Sequence, residues 1–197
     1  MAQVLVSAMG MAKTLIRGLS WLMVLAWPVL VWVSFTRPHI HWLLPLLALV
    51  LVLRLPTLWG QKGVMGQAAI ILALAGLMLC AASLLLRDRH LLLWYPVAVN
   101  AVMLALFGGS LLTAKPLVER LARLREPELS VRAVGYVRRV TQIWCLFFIF
   151  NGGIALATCL AGSVQWWTLW NGMGSYLLLG SLMAVEMWVR RRLRARV

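Results

Sequence analysis

Residues 64–86 read VMGQAAIILALAGLMLCAASLLL, twenty-three positions without a single charge. At 1.5 Å of rise per residue a helix of this length reaches about 34 Å, enough to cross a hydrocarbon core about 30 Å thick. Within it Gly66, Ala69, Ala73, Gly76, Cys80 and Ser83 recur every three or four residues, which puts them on one helical face. Lipid tails are as apolar as leucine, so membrane helices associate where small side chains let backbones approach. This stretch therefore predicts a membrane-crossing helix with one packing face.

Cutting the rest of the chain at its charges, as Lys62 and Arg87 cut this stretch, gives six candidate spans: 18–36, 40–53, 64–86, 91–114, 143–162 and 166–189. The expected fold is all-α, a polytopic transmembrane helical bundle forming a single membrane domain over 1–197. The second span is short and carries Pro45, so a five-span alternative has 40–53 as a re-entrant segment. The first follows Lys13 and Arg17 but offers no small-residue cleavage site before Arg37-Pro38, which predicts a retained helix rather than a removed signal. Composition agrees. Of 197 residues 63% are hydrophobic and 12% charged, with mean hydropathy +0.90, more apolar sequence than a soluble core of this size would use.

Lys and Arg number 19 against five acids, a net charge of +14. In a soluble protein that excess would point to nucleic acid, but no nucleic-acid motif accompanies it, and the basic residues lie between the apolar runs. With six spans, 16 of them fall on one side and three, Arg37, Arg87 and Arg89, on the other; the five-span alternative divides them 15 to four. The positive-inside rule then places both termini in the cytoplasm (N-in/C-in) for six spans. Trp94, Tyr95, Trp166, Trp167 and Trp170 are expected at the outer interface, with Trp59, Trp144 and Trp188 at the inner one.

Two further spans carry small-residue stripes: Ala98, Ala101, Ala105 and Gly108 in the fourth, and Gly152, Ala155, Cys159 and Gly162 in the fifth. They predict a compact bundle, or equally a homo-oligomer. Cys80, Cys145 and Cys159 sit inside apolar spans with no CxxC pair, which reads as packing rather than a disulfide framework or zinc site. Among polar residues within spans, Asn151 and Asn171 each precede a glycine. Thr158 lies at about the depth of Asn171, so a hydrogen bond across the helix pair is expected; the alternatives are interhelical glue and a polar substrate path. Glu186, the acid within an apolar span, stands one turn before Arg190. It is read either as an ion pair with Arg190, Arg138 or Arg139, or as a coupling carboxylate.

The basic loop 115–142 is the largest expected non-membrane piece. Pro116 suits a helical first turn, and Leu117, Leu121 and Leu124 fall on one side with Arg120 and Arg123 beside them. This predicts a short helix on the inner leaflet, with Arg120, Arg123, Arg138 and Arg139 as contacts for anionic lipid or for a protein partner. Ser130 is placed to cap another helix leading into the fifth span. For chemistry there is less. Glu119, Glu126 and Glu128 form no DxxD pattern, and His39, His41 and His90 have only Asp88 near them. Gly108-Gly109-Ser110 lacks the surroundings of a nucleophile elbow. No catalytic, cofactor or metal residues are assigned, and a non-enzyme is expected.

Residues 130–192 read SVRAVGYVRRVTQIWCLFFIFNGGIALATCLAGSVQWWTLWNGMGSYLLLGSLMAVEMWVRRR. Through Arg139-Val140-Thr141, Trp144-Cys145, Phe147-Phe148, Asn151-Gly152, Asn171-Gly172, Tyr176 and Glu186, this stretch resembles a family of bacterial inner-membrane proteins. Members of that family are often encoded in aryl-polyene pigment-lipid clusters, beside ketosynthases, acyltransferases and an exporter. More distantly, the glycine-rich helix end 107–112, then Lys115-Pro116-Leu117 and Trp144-x-x-Phe147-Phe148, is similar to the intracellular septation protein A family. The resemblance covers the half of the chain from Phe107 onward, and neither family carries catalytic residues over. It implies an accessory or scaffold protein of cell-envelope or aryl-polyene-type lipid biosynthesis in the inner membrane, with polyketide-type enzymes as partners. The alternative is a small transporter or flippase component with a path through Asn151, Asn171 and Glu186; a membrane enzyme acting on acyl chains is a third and weaker reading.

Overall fold

The computed structural model describes residues 27–36, positions 45, 46, 48, 49, 51, 52 and 55, residues 63–124 and residues 126–194. Residues 18–26 of the first expected span, much of the second, and the choice between six spans and five lie outside the described residues. What is described is helical, with no strand. The elements are α1 (Trp27–Thr36), α2 (Val64–Leu86), a 3-10 turn (Arg89–Trp94), α3 (Tyr95–Leu111), α4 (Leu117–Arg123), α5 (Val131–Leu160), α6 (Val164–Leu169), a π turn (Trp170–Gly174) and α7 (Ser175–Arg194). Four continuous helical stretches, Gly66–Leu86, Arg89–Leu111, Val131–Leu160 and Val164–Arg192, are long and apolar enough to cross a membrane.

The chain turns where its sequence stops being apolar. α2 ends at Arg87, which adopts the left-handed conformation (φ 52°), and Asp88 then opens the 3-10 turn by accepting a hydrogen bond from His90 N–H at 2.8 Å. Arg89 donates to the Ser34 carbonyl, and the His90 ring meets Phe35 edge-on at 5.2 Å, tying the end of α1 to this turn. Tyr95-Pro96 starts α3, where proline's missing N–H costs nothing. Around the turn Val31, Leu51, Cys80, Leu92, Leu93, Tyr95 and Trp167 form one buried cluster; at the other end of α3, Phe107, Leu117, Cys145 and Phe148 form a second.

The small-residue face of α2 is packed as its spacing predicts. Ala73, Gly76, Cys80 and Ser83 are buried, and a methyl on Gly76 would come within 2.9 Å of Leu51 Cδ1. On α3 the expected stripe is packed only in part: Gly108 faces Cys145 of α5, but Ala101 and Ala105 are exposed while Asn100, Phe107 and Ser110 point inward. The reason is α5, the main partner of α3, which packs its own small residues Gly152 and Ala155 inward but sets aromatic bulk against the other end of α3. Phe148 meets Phe107 edge-on at 5.2 Å, and Trp144 leans on both. Two expected interface aromatics are core residues as well. Trp167 is completely buried and Tyr95 nearly so, whereas Trp94 and Trp166 stay outward.

The basic loop is more helical than expected. Ser130 does cap a helix, accepting from Ala133 N–H at 3.3 Å, but that helix is α5 itself, thirty residues without interruption. At 1.5 Å each these reach about 45 Å, longer than a bilayer core, so the first turns carry Arg132, Arg138 and Arg139 clear of the apolar part. α4 begins after Pro116 and buries Leu117 against the second cluster, leaving Leu121 and Leu124 exposed.

Candidate functional site: a buried amide chain between helices

Asn151 on α5, Asn100 on α3 and Trp170 at the start of the π turn meet inside the bundle. Trp170 Nε1–H donates to Asn151 Oδ1 at 3.1 Å, Asn151 Nδ2–H donates to Asn100 Oδ1 at 3.1 Å, and Asn100 Nδ2–H donates to the Pro96 carbonyl at 2.8 Å. Both asparagines are buried, at 6% and 7% exposure. The orientation of each amide is forced from both ends. An indole nitrogen only donates and a carbonyl only accepts, so turning either amide over would oppose like groups. The approach that makes the contact possible is set by Gly152, where an added methyl would lie 2.9 Å from Asn100 Cβ. Phe150 covers the Trp170 ring edge-on at 6.2 Å.

A second knot lies beside the first, at the 3-10 turn. The Leu93 carbonyl in the 3-10 turn accepts from both Trp167 Nε1–H and Cys159 Sγ–H, each at 2.9 Å. A buried indole needs such an acceptor, and this one fixes α6 against the turn. In the π turn backbone pairing shifts by one residue, so the Ser175 N–H reaches the Trp170 carbonyl instead of the Asn171 carbonyl. Ser175 Oγ–H then donates to the carbonyl of Asn171 at 3.2 Å, and the Asn171 amide donates to the Trp167 carbonyl at 2.9 Å. Local side chains thus repair what the π turn disturbs.

The expected Thr158–Asn171 bond is not formed. Thr158 Oγ1–H donates to the Ala155 carbonyl of its own helix at 2.8 Å, and Asn171 is likewise satisfied locally. A hydroxyl three residues beyond a helical carbonyl reaches it without displacing anything, and here that short reach prevails. Ser83 Oγ and Thr168 Oγ1 are buried with no hydrogen-bond partner among the described residues.

Glu186 is half-buried on α7 and forms no ion pair with Arg190, Arg138 or Arg139; instead the Tyr136 hydroxyl donates to its backbone carbonyl at 3.4 Å. The arginines are drawn elsewhere. Arg138 donates to the Leu111 carbonyl at 3.2 Å, and Arg120 to the Lys115 carbonyl at 2.8 Å and Thr113 Oγ1 at 3.0 Å. The last carbonyls of a helix have no intrahelical donor, so the end of α3 attracts Arg138, while Arg120 binds the turn that follows it. Arg123 pairs with the buried Glu119 at 2.8 Å and donates to the Pro127 carbonyl at 2.9 Å. Arg139 is exposed and has no hydrogen bond or ion pair among the described residues.

Of the residues singled out from sequence, the fold brings Asn151 into a shared polar site and leaves Asn171, Thr158 and Glu186 separate from it. Asn100 and Trp170 complete that site. Asn100 carries a signal of its own, an amide in mid-span four residues after Pro96; Trp170 reads from sequence as one more interfacial aromatic. His39 and His41 lie outside the described residues, and among the described residues no three His, Cys, Asp or Glu are grouped to hold a metal ion. No family model, no curated protein and no solved structure matches this chain.

Proposed function

We propose that this protein is a multi-span accessory protein of the bacterial inner membrane, with six spans and both termini cytoplasmic, that scaffolds envelope or aryl-polyene-type lipid assembly. The observation that carries this reading is the closure of the buried polar groups on one another. Asn100, Asn151 and Trp170 satisfy each other and a backbone carbonyl, which is how membrane helices are held together rather than how a substrate is met. The outward surfaces supply the rest. The apolar turns of α7 before Glu186 lean little on their own bundle, and the 115–142 region presents exposed arginines on a folded base. The resemblance of 130–192 to the polyene-associated family supports the pathway, with synthase-type enzymes and anionic lipid as partners.

The transporter reading has less behind it. Asn171 and Glu186 are fifteen residues apart, about 22 Å along a helix, and the groups between them are apolar apart from Ser175, Tyr176 and Ser181. The test is affinity purification of the tagged full chain from mild detergent with quantification of envelope enzymes; the reading expects them in stoichiometric amounts, and a clean monomer would sink it. Leu124→Cys, at an exposed position, tests orientation: a membrane-impermeant thiol reagent should label it in inverted vesicles and not in intact cells.

A further inference from the structure

An open slot runs between α5 and α7. Ile143, Leu146, Phe147 and Phe150 form one wall and Leu178 and Leu182 the other of an open-faced groove of about 270 Å³ with no polar side chain in the lining. The slot does not stay apolar along its length. On α7 Leu178, Leu182, Glu186 and Arg190 are four residues apart and share a face; on α5 Tyr136, Arg139, Ile143, Leu146 and Phe150 do the same at spacings of three and four. The hydrogen bond from Tyr136 Oη–H to the Glu186 carbonyl fixes the register of the two faces, so their polar ends lie together. Arg139 therefore stands one turn from the slot at its basic end, exposed and unpartnered among the described residues. Arg190 continues the other wall, with Glu186 as the acid between. Beside them Arg192 lies over the Trp188 ring at 3.8 Å, the aromatic and cationic pairing usual at a headgroup boundary.

Resting on the inner-membrane reading above, we propose that this slot holds an acyl chain of one anionic glycerophospholipid, with its phosphate at Arg139 and Arg190. An occupant must be apolar along the slot and negative at its inner end, which an anionic phospholipid supplies within one molecule. The arginines match the phosphate through charge-assisted hydrogen bonds, and their setting at the end of an apolar stripe matches the depth at which a phosphate sits.

The experiment uses the full-length protein in nanodiscs of phosphatidylglycerol and phosphatidylcholine in equal parts, with retained lipids counted by native mass spectrometry. One phosphatidylglycerol should be held in preference to phosphatidylcholine. Arg139→Gln, at an exposed position where folding is not at stake, should lower that retention about fivefold. Leu182→Trp, which fills the slot and leaves the charge alone, should abolish it, and Arg87→Gln, at the exposed turn after α2, should change nothing. Equal retention of the two lipids, or full retention in Arg139→Gln, overturns the proposal, as does a loss in Arg87→Gln as large as in Arg139→Gln. The scaffold reading is judged separately by its co-purifying enzymes: losing those while the lipid stays bound defeats that reading and leaves this one.

Discussion

α5 meets α3 and α7 in opposite ways. Toward α3 it is joined by an amide chain, a close glycine contact and an aromatic stack; toward α7 it faces an open slot closed at one end by a single long hydrogen bond. The first contact is directional, since each amide has one workable orientation and each partner one position. The second is an apolar wall without a partner among the described residues. A membrane supplies no hydrophobic force to press two helices together, so pairing follows close approach and hydrogen bonds where the sequence provides them. The same helix is thus fixed on one side and free on the other.

The change that should break the fixed side most severely is Gly152→Leu. A methyl there already meets Asn100 Cβ at 2.9 Å, so a larger side chain must separate α3 from α5 and open the amide chain with them. A loss of about 3 kcal/mol is expected, read by unfolding in mixed detergent micelles. Asn151→Leu should follow at roughly 2 kcal/mol, because it leaves both the Trp170 indole and the Asn100 carbonyl oxygen without partners. Leucine at both 100 and 151 should then recover part of that loss, since removing both partners is less costly than orphaning one. If the double variant is as unstable as the two single losses added together, the amides are not coupled and the chain of bonds does not hold α3 to α5. Trp167→Phe should cost about 1 kcal/mol, for one hydrogen bond to the Leu93 carbonyl with the ring's packing kept.

The sequence made the helices legible and half of the site. Apolar length and charge boundaries give 64–86 almost to the residue, and the 3–4 spacing gives its packed face. Asn151 stands out as an amide in an apolar run. What sequence does not convey is which residue lies opposite. Ala101 and Ala105 make as good a stripe as Ala73 and Gly76, yet α3 turns the other way because Phe148 and Trp144 of α5 require a face with Phe107 on it. Trp167 looks like a belt residue until the Leu93 carbonyl is beside it. Thr158→Val isolates the same lesson: depth matched Thr158 to Asn171, but its bond is to Ala155, so the substitution should move stability by less than about 0.5 kcal/mol in the same unfolding assay.

A small effect is also expected on the open side, and it depends on the solvent. Leucine truncation in a packed core costs about 2–5 kcal/mol, much of it for the cavity left behind. Leu178 and Leu182 border space that is already open, so truncation to alanine in detergent removes contacts without making a new cavity, and a cost below about 1 kcal/mol is expected. In a bilayer containing phosphatidylglycerol, an acyl chain in the slot would turn that wall into a packed surface, and the same substitution should then cost more. Measuring Leu182→Ala in both settings therefore compares the two sides of α5 within one helix. A larger cost in the bilayer makes lipid the missing partner of α7, whereas an equal small cost in both leaves this side of α5 unpartnered.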